Sequence, residues 1–212
     1  MTDSPDDHAP GIAALGERLS DLSRQHEGAV IALTGSVASG KTTLANNVAA
    51  FLAEAHKVET VSTDGFLYPH DVLEERGLTL RKGFPETYNA DALGDAIEAL
   101  AKGAADFPGY SHVTYDIDPA LTRTLEQPDI LILEGLGFRP LSPPPRPARE
   151  PDYLVYLDAS EAHLLDWYLE RFQRLWHAAK DDPTSFYANF LHMSEPELVD
   201  FATSVWERIN LP

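Results

Sequence analysis

Cysteine is absent from the 212 residues, which removes disulfides, zinc–thiolate centres and cysteine nucleophiles from consideration. That absence suits a reducing cytoplasm, which is the expected location. Long apolar runs are missing too: no stretch approaches the roughly 20 residues of a membrane span, and the acidic start from Met1 to Asp7 is the reverse of a secretory signal. Positive charge is scarce, with 16 Lys and Arg against 34 Asp and Glu, for a net charge of −18. Such a chain repels duplex nucleic acid and anionic lipid, so the expected partner is a small molecule, with no nucleic acid and no membrane. Any phosphate site must then be a local cationic pocket, with Mg²⁺ supplying part of the charge. The eight His residues show no paired metal spacing, so a zinc site is not expected. There is no Asn-Lys-x-Asp guanine-reading segment and no Leu-Ser-Gly-Gly-Gln-like transporter segment. Asp91-Ala92-Leu93-Gly94 has the spacing of a switch motif, but it falls inside a predicted helix.

The chain is organised around Gly35-Ser36-Val37-Ala38-Ser39-Gly40-Lys41-Thr42, with Thr43 following. An apolar run, Ala29 to Leu33, precedes these residues, and a helix-compatible stretch, Leu44 to His56, comes after. Two glycines five apart, then Lys and a hydroxyl residue, form a phosphate-binding loop. Gly35 and Gly40 let the backbone curl so that successive N–H groups face anionic oxygens. The start of the next helix adds its dipole and free amides. Lys41 is placed for the outer phosphates of a nucleoside triphosphate and Thr42 for Mg²⁺.

Ahead of the loop, residues 1–10 read as a disordered acidic tail and Gly11–His26 as an amphipathic helix. Behind it, Val58–Ser62 predicts a strand, Leu67–Thr87 a long polar loop outside the core, and Ala90–Lys102 a helix capped by Asn89. Phe107–Pro119 reads as irregular and aromatic. Ile130–Leu133 is the unbroken apolar run of a strand buried on both faces. Pro140–Pro151 is a proline-rich surface loop, Tyr153–Leu157 a strand, and Ser160–Ala179 and Glu195–Asn210 are helices. Strands alternating with helices predict an α/β fold, a mostly parallel sheet with helices on both faces.

In such sheets a ligand lies beyond the carboxyl ends of the strands, where this chain places the loop, Asp64 and Glu134. Asp64 is either a turn aspartate ahead of Gly65 or a general base accepting the proton of an alcohol. Glu134 is either a helix-capping acid or a Mg²⁺ ligand acting through water.

Several segments together resemble the bacterial type I pantothenate kinases. They are the loop, Ser62 to Pro69, Leu73 to Leu78, Lys82 to Tyr88, Tyr110-Ser111-His112, Tyr115-Asp116, Gln127 to Leu136, Trp167-Tyr168 and Arg171-Phe172. The likeness runs from about residue 11 to the end. It implies a three-layer P-loop kinase fold in one domain, 11–212, that uses ATP and Mg²⁺ to phosphorylate the primary hydroxyl of pantothenate, the first step of coenzyme A synthesis. By the same resemblance Asp64 is the base, Lys41 and Thr42 are the phosphate and metal residues, and Arg171 meets transferring charge. The resemblance also places Tyr110, His112, Tyr115, Tyr168, Arg171 and Asn210 around pantothenate or the transferring phosphate. Related nucleoside and sugar kinases share the core, and a nucleotide-binding protein without turnover is the reading from another class. Homodimers are common among such kinases.

The departures are specific. Asn46 stands where the family has an Arg that meets nucleotide or coenzyme A. Leu175, Trp176 and Lys180 replace an aromatic cluster, which argues against coenzyme A inhibition. Past the position of Pro212 the family continues into a segment with a Leu-Pro-Thr-Arg motif and a further strand, so the chain is expected to be either a truncated form or a shorter relative.

Overall fold

A computed structural model of the chain describes residues 9–143 and 147–210. Within these bounds a four-stranded parallel sheet is built from β1 (Ala29–Gly35), β2 (Val58–Ser62), β5 (Ile130–Glu134) and β6 (Tyr153–Leu157), in the order β2-β5-β1-β6. The central pair, β1 and β5, is buried almost throughout, which accounts for the unbroken apolar runs there. Alternate side chains of these strands feed two cores. Val30, Leu131 and Leu133 pack with Leu93, Ile97 and Leu100 of helix α4 (Ala90–Leu100) on one face. Ile31, Leu33, Ile130 and Ile132 meet Ala45, Val48 and Leu52 of α2 (Lys41–Leu52), with α1 (Ala9–Ser23) adding Leu19, on the other. The α/β expectation of a parallel sheet between helical layers is met. Residues 1–8 of the expected acidic tail lie outside the described residues, and Ala9 already belongs to α1.

Phe107–Pro119 differs from its sequence reading: it is not irregular but lies in an antiparallel hairpin, β3 (Ala104–Ser111) with β4 (Asp116–Glu126). Pro108, Gly109 and a register shift between Phe107 and Gly109 break the alternation by which a strand is recognised. The supposed polar loop Leu67–Thr87 is also partly core. It holds the short helix α3 (His70–Glu75) and two 3₁₀ turns, and Leu73 and Thr87 are fully buried. Only single apolar anchors serve short turns of this kind, so no periodicity betrays them. The helix expected to reach His56 ends at Leu52, four residues early.

A third cluster joins α5 (Glu161–Ala178) to α6 (Glu195–Val205) through Phe172, Trp176, Leu198 and Ala202. Ser160 caps α5 by accepting from the His163 amide, and a reciprocal Ser194–Glu197 box starts α6. The last turn, Trp206–Asn210, is a π turn rather than regular helix.

Leu133→Ala, at a site with no solvent exposure, should lower the free energy of unfolding by about 2–5 kcal/mol, as large-to-small changes in packed cores do. Urea denaturation measures it, and the same change at Leu154, on edge strand β6 and 42% exposed, should cost far less.

Candidate active site

The register of the sheet sets the site. Leu33 of β1 and Ser62 of β2 both pair with Glu134 of β5, and the Gly135 amide donates to the Leu33 carbonyl at 3.0 Å. Three strands therefore end level, releasing the Gly35 loop, the Thr63–Phe66 turn and Glu134 at one edge. The Gly35 backbone passes so close to β6 that a Cβ there would lie 2.3 Å from the Leu157 carbonyl. Gly40 starts α2 in the left-handed region (φ 86°), no side chain caps the helix and no acid occupies its first turn. The amides at that end are thus left for an anion. Ala38 is also left-handed (φ 63°), a conformation that L residues adopt under local constraint.

Lys41 folds back to donate from Nζ to the Ser36 carbonyl at 2.8 Å. Burial holds its ammonium below the usual lysine range, opposed by the carboxylates of Glu134 and Asp64. The Ser39 hydroxyl is buried with no hydrogen-bond partner among the described residues, an orphan beside a loop shaped for oxyanions. Glu134 is 8% exposed, and burial followed by repulsion from Asp64 pushes its carboxyl above the ordinary range. Hydrogen bonding from Thr42 and Ser62 and the Lys41 charge work the other way. An acid gathered with a hydroxyl and an ammonium does not read as a helix cap.

Asp64 sits in a 3₁₀ turn whose first residues are held by Ser62, which accepts from the Asp64 amide at 3.3 Å. Its carboxylate Oδ1 accepts from the Tyr88 hydroxyl at 3.0 Å. Gly65 lets the hairpin close over this turn, since a Cβ would stand 1.9 Å from the Pro108 carbonyl.

The hairpin brings in the aromatic wall. Tyr110 meets His112 and Tyr115 edge-on, with ring centroids 5.1 and 6.0 Å apart. Lys82 lies 5.2 and 5.1 Å from the Tyr110 and Tyr115 rings and donates to the Tyr115 carbonyl. Burial lowers the His112 imidazole, with Asp64 opposing, and raises the Tyr110 phenol well above its usual value. Tyr115 is left-handed (φ 60°) and stacks on Phe186 at 4.6 Å. It keeps 36% of its surface open, so the burial that raises its phenol acts at the hydroxyl end. The Phe186 amide donates to the Val113 carbonyl at 2.9 Å, tying the hairpin tip to the segment between α5 and α6. Tyr187 joins here, its phenol pushed up to about 12 by burial and by Tyr115.

Tyr168 packs against Phe172 and Trp206, and burial raises its phenol. Arg171 is exposed on the same helix, and its charge is felt at Lys41, His112 and Tyr115. Asn210 ends the terminal π turn that Trp206 begins beside Tyr168, and among the described residues no hydrogen bond joins it to the other candidates. Trp176 is buried and donates from Nε1 to the Phe190 carbonyl, and Tyr187 and Phe190 pack against the same cluster. Sequence reasoning gave no role to Tyr88, Lys82 or Tyr187, although the first two close the Lys82–Tyr88 motif. Among the described residues no three acids and histidines gather as a metal cage. Thr42 and Glu134 are nonetheless hard oxygen donors of the kind Mg²⁺ takes, completing its shell with phosphates and water.

The model of the phosphoribulokinase/uridine kinase family matches residues 30–174. A pantothenate kinase from Streptococcus suis is 41% identical over 189 residues, covering 86% of this chain and 61% of the relative. One from Klebsiella pneumoniae is 42% identical over 194 residues with the same coverage. The chain thus spans 61% of the length of these curated relatives. A solved candidate fructose transport system kinase from Silicibacter superposes with a TM-score of 0.67 at 25% identity, covering 95% of this chain and 96% of that one. A candidate uridine kinase from Bacillus stearothermophilus, at 21% identity and a TM-score of 0.50 over 74% of this chain and 92% of that one, shares the fold.

The raised carboxyl of Glu134 has a stability consequence. The folded state holds this proton more tightly than the unfolded state does, so the group's contribution is present below the unfolded value and lost as pH rises through the folded one. Glu134→Gln should therefore melt higher than the wild type at pH 8, with the gain shrinking as pH falls toward the ordinary Glu range. Paired thermal melts in one buffer series check this.

Proposed function

Because the chain belongs to the phosphoribulokinase/uridine kinase family, whose model covers most of it, we propose that it transfers the γ-phosphoryl group of ATP to an alcohol, the primary hydroxyl of pantothenate. The observation that carries this reading is the meeting of the Gly35–Thr42 loop, Asp64 and Glu134 at one end of the sheet, facing the tyrosine wall. The similarity to pantothenate kinases over 86% of the chain supports the acceptor.

In the proposed reaction the loop amides, including those of Thr42 and Thr43, and Lys41 bind the triphosphate. Thr42 directly and Glu134 through water would hold Mg²⁺, which when bound neutralises phosphate charge. Asp64 takes the hydroxyl proton as the acceptor oxygen forms its bond to the γ-phosphorus. The bond from that phosphorus to the β,γ-bridging oxygen breaks, and ADP leaves with the electron pair. Holding the two oxygens in line and neutralising charge is most of what such a transfer requires. Arg171 lies where its charge reaches Lys41, suited to the equatorial oxygens. Tyr110, His112, Tyr115, Tyr168 and Asn210 are assigned to the acceptor. Lys82, between two of the tyrosines, adds a cation that suits pantothenate's carboxylate.

A sugar or nucleoside acceptor is the second reading, favoured by the breadth of the family model and by the near full-length superposition on the Silicibacter structure. ADP release measured over pantothenate, uridine, fructose and no acceptor separates the readings. Stimulation by pantothenate supports the first, stimulation by uridine or fructose alone supports the second, and nucleotide binding without turnover on any acceptor overturns both.

Two variants test the roles. Asp64→Asn should retain ATP binding while slowing turnover by roughly 10²- to 10⁴-fold, the usual effect of removing a positioned base. Lys41→Ala should weaken ATP binding in a calorimetric titration and slow transfer as well; an unchanged isotherm and rate would remove Lys41 from the site.

A further inference from the structure

Asp64 has one protein side chain bonded to its carboxylate among the described residues, the Tyr88 hydroxyl on Oδ1 at 3.0 Å. Resting on the kinase reading above, we propose that Tyr88 is a positioning residue: it fixes the plane of the Asp64 carboxylate by holding one oxygen, so that the other is presented to the acceptor hydroxyl.

The surroundings of Tyr88 fit a part whose place is fixed. The residue is 5% exposed. Gly137, left-handed at φ 79°, passes so close that a Cβ there would lie 2.4 Å from the ring. Backbone bonds clamp its segment to the turn bearing Asp64: Tyr68 N donates to Thr87 O and Asn89 N to Phe66 O, each at 2.8 Å, and Leu67 and Tyr88 form an isolated β-bridge. The Thr87 hydroxyl accepts from Gly83 N and donates to Phe84 O, closing the turn that delivers the ring. Two segments about twenty residues apart in sequence are thus locked in register, and the bond between their side chains follows from that lock. Burial and the Asp64 charge drive the phenol far above its ordinary value, so it remains a donor across the working pH range.

A carboxylate free to turn about its last side-chain bond samples many orientations, of which few point a lone pair at a given proton. Tying one oxygen removes that freedom before substrate arrives, and misplacement of a catalytic group by about 1 Å can cost on the order of 10²-fold. Lys41, Lys82 and Glu134, together with His112, Tyr110 and Tyr115, supply the remaining field at Asp64.

The test is Tyr88→Phe, which keeps the ring and deletes the hydroxyl. With pantothenate as acceptor, kcat should fall roughly 10- to 100-fold while KM for pantothenate and ATP stays within about twofold of the wild type. In an Asp64→Asn background the same change should cost nothing further, since its effect passes through that carboxylate. Unchanged kcat, a loss confined to KM, or an equal loss in both backgrounds overturns the proposal. A second measurement does not depend on turnover. In a crystal structure of Tyr88→Phe the Asp64 carboxylate should occupy more than one orientation, whereas in the wild type the bond to Tyr88 holds it in one. A carboxylate as well ordered in the variant as in the wild type overturns the positioning role whatever the kinetics. A reoriented or multiply placed carboxylate in a protein that phosphorylates no acceptor instead overturns the kinase reading and leaves the Tyr88–Asp64 pairing standing.

Discussion

Parallel pairing fixes Leu33, Ser62 and Glu134 at one level of the sheet, and the site depends on that register more than on any single side chain. The central strands are buried on both faces, so a slip of one residue would exchange the cores above and below and is strongly disfavoured. Whatever follows each strand is delivered to the same edge. An anion cradle, an aspartate and a glutamate thus become neighbours although they lie about 30 and 70 residues apart in sequence. The glycines at this edge, Gly35, Gly65 and Gly135, are the positions where backbone passes other atoms too closely for a Cβ.

Charge is distributed against the average. A chain of net charge −18 collects Lys41, Lys82 and Arg171 around two carboxylates, and burial strengthens each interaction there relative to the wet surface. The direction of each shift follows from placement. Lys41 is lowered and Glu134 raised chiefly by loss of water, while their mutual attraction resists both changes. Such opposed tuning is common where groups handle phosphate and protons.

Much of this was legible in the residues. The apolar runs of β1 and β5, the loop between β1 and α2, the Asn89 cap and the stripe of α5 each carry a local signal that the tertiary structure keeps. The hairpin was hidden because Pro108, Gly109 and a bulge interrupt its alternation. The bond from Tyr88 to Asp64 was hidden for another reason: it arises from the clasp between two irregular segments, and no periodicity encodes such a clasp. Tyr187 became visible only when the Phe186–Val113 bond brought the α5–α6 connection to the hairpin tip.

Tyr115 holds a backbone conformation that glycine or asparagine would adopt with less strain, yet it keeps a large ring stacked on Phe186. Local comfort and the shape of the cleft pull in opposite directions at this one residue. A population of variants screened for heat resistance alone would drift toward small residues there, relaxing the turn and opening a gap in the wall. Under the proposed function, fitness for chemistry would be eroded at a position that no stability measurement would mark as damaged.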